Sequence, residues 1–234
     1  EILDLMAYYI PECEGINLDA TVTSILHKSQ EELEMLARKK VKHLYLGIES
    51  GLDDVLNFMK KDHDLAQAYQ AIDRLHEAGL IYDAHIMTGV AGKGRGMENA
   101  EALAQFLNRT NPAHVVNFSM FLHKEVPLYQ DIRQGTFVPA DELETIREEY
   151  HLIERIAPEK AGANILYDGF HDFIHVRVRG HLPGDKEKML AKLNGIIQEY
   201  EGKEPVYSFV QGECPDLEYC DDGKAVWDMD RKTS

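Results

Sequence analysis

"LIYDAHIMTGVAGKGRGMENAEALAQFLNRT", residues 80–110, contains three elements in succession. Leu80 to Met87 reads as a strand, and Met97 to Thr110 reads as a helix. Between them Gly89, Gly92, Gly94 and Gly96 fall within eight positions, beside Lys93 and Arg95. A phosphate-binding P-loop needs Gly, four residues, then Gly-Lys-Ser/Thr. Here Gly94 is followed by Arg95 and Gly96, with neither the lysine nor the hydroxyl in place. The dinucleotide pattern G-x-G-x-x-G fails as well, since Met97 and Asn99 stand where its last glycine belongs. The loop therefore takes its meaning from its position at the end of a strand.

Outward from this unit the same alternation continues. Towards the amino terminus lie a strand reading at 16–25, a helix from Ser29, a strand at 41–48 ending in Glu49-Ser50-Gly51, and a helix at 64–78. Ser29 with Glu32 makes a capping box, Asp64 caps the next helix, and Gly79 terminates it. Towards the carboxyl terminus a further strand covers 114–121. Strands alternating with helices predict an α/β fold with parallel strands and right-handed crossovers. Periodicity does not separate a barrel from a flat doubly wound sheet. Both gather ligands at the carboxyl ends of the strands, where 49–51, 88–92 and the segment after Phe121 all fall.

Past residue 125 the pattern changes to a short helix in "PLYQDIRQGTF", a long charged helix in "ADELETIREEYHLIERIA", two strands in "NILYDG" and "DFIHVRVRG", an amphipathic helix and an acidic tail from 203. The expected organisation is a barrel-like part at 1–125, a connecting loop and helix at 126–160, and a small α+β extension at 161–234.

The 234 residues include 41 acidic and 25 basic side chains, a formal charge of −16. Such a surface disfavours nucleic acid, whose binding depends on neutralising phosphates. No apolar run approaches the length of a membrane span. Three cysteines, Cys13, Cys214 and Cys220, fit a reducing cytoplasm better than a disulfide framework. Cys214 and Cys220 lie in an acidic stretch without a second pair, a weak zinc or cluster pattern. His171 and His175 read as neighbours on one face of a strand, packed rather than binding metal. The chain opens in mid-helix without Met, as a piece of a longer polypeptide would.

Four segments in order resemble the radical S-adenosylmethionine (SAM) superfamily, in its Elp3-, MiaB- and coproporphyrinogen-oxidase-like group. They are Gly47-Ile48-Glu49-Ser50-Gly51, Gly89-Val90-Ala91-Gly92, Pro127-Leu128-Tyr129 with Gly135 and Phe137, and "RVRGHLPGDKEKML". The resemblance implies strands three to six of a partial parallel (β/α) barrel with a small α+β extension. It implies SAM and a 4Fe–4S cluster as cofactors, an external electron donor, and hydrogen abstraction from a small-molecule substrate by a 5′-deoxyadenosyl radical.

Carried over by position, Glu49 and Ser50 would contact the ribose or methionyl part of SAM. Val90 would neighbour adenine, with Gly89 and Gly92 as clearance. Backbone at Phe121 and Leu122 would pair with the adenine edge. His85, Asn117 and Ser119 would face the barrel lumen. The family's C-x3-C-x2-C cluster motif is absent from this sequence, so the chain alone is expected to be inactive. Opening the barrel would leave strand 16–25 as an exposed edge and favour dimerisation there.

Overall fold

The computed structural model describes residues 1–209. Helix α1 (Ile2–Tyr9) precedes strand β1 (Ile16–Ala20), followed by α2 (Val22–Leu26), α3 (Gln30–Arg38) and β2 (Val41–Glu49). Next come α4 (Asp53–Phe58), α5 (Leu65–Glu77), β3 (Ile81–Thr88), α6 (Gly96–Thr110) and β4 (His114–Ser119). The remainder comprises α7 (Leu128–Gln134), α8 (Glu142–Arg155), β5 (Ile165–His171), β6 (Val176–Leu182) and α9 (Lys186–Tyr200).

The strands form one sheet in the order β1-β2-β3-β4-β5-β6, parallel throughout except for the β5–β6 pair. A doubly wound sheet reverses its strand order at a switch point. No reversal occurs among the described residues, so the winding is that of a barrel laid open, and the fold is a partial parallel (β/α) barrel. Alternate residues explain which side carries the core. Leu44, Leu46, Ile48, Tyr82, Ala84, Ile86, Val115 and Tyr167 all enter one cluster with Leu33, Leu75, Leu103, Leu107 and Ile153 of the helices. The intervening residues, Tyr45, His85, Phe118 and Phe170, form the opposite, partly open face. The strands at 165–182 continue the same sheet, since β5 is hydrogen-bonded to β4.

Local signals set the helix starts. Ser29 and Asp64 both form capping boxes, with Glu32 and Gln67 as reciprocal partners. The strand expected over 16–25 ends at Ala20. Thr21 is instead an N-cap whose side chain accepts from the Ser24 amide while Ser24 bonds back, and this box turns the β-branched "TVTSI" into α2. The strand expected over "DFIHVRVRG" begins late for a similar reason. Asp172–Ile174 form a 3-10 turn and His175 adopts φ +55, so His171 and His175 do not share a strand face.

Candidate functional site

The glycine loop is the junction between β3 and α6. Gly89 and Gly92 have φ of +82° and +80°, a region costly for any residue with a Cβ. At Gly92 a Cβ would also stand 3.0 Å from both the Phe137 ring and the Val138 carbonyl. The loop thus presses closely on the segment after α7, and Lys93 N donates to Val138 O at 2.8 Å.

Beside the loop is a hollow of about 350 Å³, lined by Asp54, Val55 and Phe58 of α4, by Val90 to Lys93, and by Thr136 to Val138. Phe58 stacks on Phe137 at 5.8 Å. Arg95 reaches its rim but is engaged by Asp54 at 2.7 Å and Glu98 at 2.9 Å. The Arg95 guanidinium holds the Asp54 carboxyl below its ordinary range. Val90 is buried with Val55, Met120, Leu122, Ile132 and Phe137, so the hollow has an apolar floor.

The loop amides decide which ligands fit. Gly89 N donates to Glu148 Oε2 at 2.8 Å, Gly94 N to Glu144, and Gly92 N back to Gly89 O at 3.0 Å. A phosphate cradle keeps such amides free for the anion. Here carboxylates already occupy two of them, and their charge repels phosphate.

Among the residues expected to bind a nucleoside, Val90 and Gly92 line the hollow. Gly89 does not line it, and a Cβ there would meet Thr145 at 2.8 Å. Ser50 is fully buried and directed away, its Oγ donating to Asn99 Oδ1 at 2.6 Å. Glu49 accepts from Lys61 at 3.2 Å and has φ +62°. Phe121 is exposed. Leu122 packs beneath Val90, but its amide already donates to Ser208 O at 2.7 Å.

His85 does face the open side, between Tyr45 and Phe118 at 5.1 and 5.9 Å. The lumen positions expected for Asn117 and Ser119 are overturned. Asn117 Nδ2 donates to Glu149 at 3.1 Å and Ser119 Oγ to Glu142 at 3.1 Å, because both side chains point to α8.

Helix α8 supplies what was missed. Glu142, Glu148 and Glu149 are buried, although their segment reads as a charged helix. His171 stands between Glu142 (Nδ1 to Oε2, 3.0 Å) and Glu149 (Nε2 to Oε2, 3.1 Å). Both ring nitrogens face carboxylates, so both must be protonated to donate. Burial pulls the His171 pKa down, but its bonds to Glu142 and Glu149 override this and push it up to about 10. Burial likewise raises Glu142, and the bonds from His171, Ser208 and Ser119 outweigh it, leaving that carboxyl below its usual range. A sequence signal existed: Glu142 and Glu149 are seven apart, on the stripe that carries Ile146 and Ile153.

A family model described as the radical SAM superfamily matches residues 2–107.

Over those residues, just under half of its length, the chain is similar to that superfamily.

Its matched residues run from α1 to near the end of α6 and include the glycine loop. A relative from Methanocaldococcus infernus, a tRNA uridine(34) acetyltransferase, is 24% identical over 119 residues, covering 50% of this chain and 22% of the relative. The solved structure of Elp3 from the same organism, with residues 1–46 deleted, has a TM-score of 0.59 at 17% identity. That alignment covers 80% of this chain and 42% of the Elp3 chain, and at this identity it establishes a shared fold. The chain therefore spans less than half the length of these relatives.

The two family cofactors fit the described residues unequally. The hollow over Val90 and Gly92 has the apolar floor and bare backbone that a planar base requires. For the 4Fe–4S cluster the donors do not fit. Cys13 is free, and among the described residues no three His, Cys, Asp or Glu side chains converge on one point. Cys214 and Cys220 lie outside the described residues. Among the described residues no helix is long and apolar enough to cross a membrane.

Proposed function

We propose that this chain is the later part of a SAM-binding barrel, and that the hollow between the glycine loop and α4 receives the adenosyl group. The carrying observation is the loop's own bonding. Its amides are closed by Glu148 and Glu144, its rim carries Asp54, and its floor is Val90. Such a site favours a base without phosphates and tolerates a positive sulfonium nearby. In the intact enzyme SAM would supply a 5′-deoxyadenosyl radical for hydrogen abstraction. This chain's residues contribute the apolar wall, the clearance at Gly92 and the Phe58–Phe137 stack.

The described residues lack a cluster-binding set, so we assign the cluster ligands to a part of the parent protein outside them, and the chain alone is inactive. The substrate we assign is a small molecule, with electrons from an external donor. The tRNA in the relative's name is not carried over, because 41 acidic against 25 basic residues oppose a polyanion. The cytoplasm is the compartment we assign.

Thermal denaturation with SAM, S-adenosylhomocysteine, ATP and NAD tests the reading, since a ligand selective for the native state raises Tm. SAM and S-adenosylhomocysteine are expected to raise it while ATP and NAD do not. Stabilisation by ATP or NAD alone would overturn the assignment.

A further inference from the structure

The two walls of the hollow begin at different strand ends. One is α4, which starts directly after Ser50 to Leu52 at the end of β2. The other is Val90 to Lys93, directly after Gly89 at the end of β3. One buried side chain connects both starting points. Glu148 accepts from Gly89 N at 2.8 Å through Oε2 and from Asn99 Nδ2 at 2.7 Å through Oε1. Asn99 in turn accepts, through Oδ1, from Ser50 Oγ at 2.6 Å and from Gly51 N at 3.3 Å. Ser50 Oγ also accepts from Leu52 N at 3.1 Å. Helix α6 closes over the same carboxylate, and a Cβ at Gly96 would meet Glu148 Oε2 at 2.9 Å.

We infer that Glu148 is a positioning residue: its carboxylate ties the β2 and β3 ends together and so sets the affinity of the hollow for a nucleoside. The affinity clause rests on the adenosyl reading; the tie does not. The chemistry singles out a charged carboxylate. Both of its partners are donors, Gly89 N–H and the Asn99 amide, so both oxygens must accept. A protonated acid or a glutamine turns a donor towards one of them and loses that bond. Asn99 cannot compensate by rotating, because its oxygen is needed by Ser50 and Gly51.

Protonation falls in an accessible range. Burial raises the Glu148 pKa to about 7, against the bonds from Asn99 and Gly89. Glu144 on its own helix raises it further, and His171 on β5 lowers it. Tyr167 of β5 also feels the Glu148 charge and is itself pushed well above its ordinary value, so it stays neutral here. The hollow should therefore loosen as pH falls through about 7.

Two measurements on the full chain test this. In a 15N–1H titration, the Gly89 and Gly51 amides are expected to move together with one midpoint near 7. Glu148→Gln should remove both transitions, whereas Asn99→Ala should remove that of Gly51 and keep that of Gly89. Calorimetry with S-adenosylhomocysteine should give binding about tenfold weaker at pH 6 than at pH 8, the effect of one lost hydrogen bond to a charged group. Glu148→Gln should bind weakly at both. Independent midpoints, or a Gly51 transition that survives in Asn99→Ala, would overturn the tie, and the alanine variant decides this even if Glu148→Gln does not fold. Wild-type binding and pH response in Glu148→Gln would overturn the affinity claim. Coupled amides without S-adenosylhomocysteine binding at either pH would uphold the tie and sink the adenosyl reading instead.

Discussion

Helices α5 and α8 pack on the same face of the sheet with opposite chemistry. Helix α5 buries Ala68, Ala71, Ile72 and Leu75 and no carboxylate: Asp73 and Glu77 are exposed, and Arg74 donates to the carbonyls of Ile25, Leu26 and Lys28. Helix α8 buries Ile146, Leu152 and Ile153, yet the same side carries Glu142, Glu148 and Glu149. The difference follows from what lies opposite. Helix α5 meets strand interiors, where apolar side chains suffice. Helix α8 meets strand ends, where amides of the glycine loop, Asn117, Ser119 and His171 need acceptors. Buried carboxylates are expensive unless fully paired, so their presence marks the part of the sheet where loop position is specified.

Breaking α8's central pair should have the largest effect. His171→Leu leaves Glu142 and Glu149 buried without their cation and should cost about 3–5 kcal/mol in urea unfolding. Its pH dependence separates it from an ordinary core mutation. A histidine raised to about 10 when folded contributes stability that is complete below about 6.5 and is lost as pH rises towards 10. Glu142, held low, contributes stability above its ordinary range that is lost as pH falls through its folded value. Glu148 has the reverse sign: raised to about 7, it loses stability as pH climbs from its ordinary range to 7. His171→Leu should therefore flatten the alkaline limb of the stability profile.

On α5 the matching change is Leu75→Ala, expected to cost about 2–5 kcal/mol through transfer and cavity terms. Leu75 is fully buried, and no titratable group is removed, so the loss should be the same at pH 6 and pH 9. A strong pH dependence here would erase the contrast between the helices. Smaller still is Asp64→Ala at the start of α5, where loss of the cap to Gln67 N should cost about 1 kcal/mol.

How far the sequence revealed this pattern depended on range. Ser29, Asp64 and Gly79 act within a turn of themselves, and the helix boundaries they set match the structure. Barrel winding was left open, because consecutive strand order is a property of pairing across some 30 residues. The glycine loop was correctly placed at a strand end. Its real partners, Glu144 and Glu148, lie 50 and 59 residues downstream of Gly94 and Gly89. The same distance explains Asn117 and Ser119: their polarity marked them, but their acceptors on α8 determine the side they face. Ser50 was expected at the ligand and is found bracing the loop, since Asn99 reaches it first. Thr21 was overlooked because β-branched residues imitate a strand until the Thr21–Ser24 box is recognised.

The most direct test of the central claim is a crystal structure of the chain with S-adenosylhomocysteine. Adenine is expected between Val90 and the Phe58–Phe137 pair, with Gly92 backbone at its edge and the Glu148–Gly89 bond intact. Adenine seated instead on the open face beside His85 and Phe118, or a hollow that stays empty at saturating ligand, would contradict it.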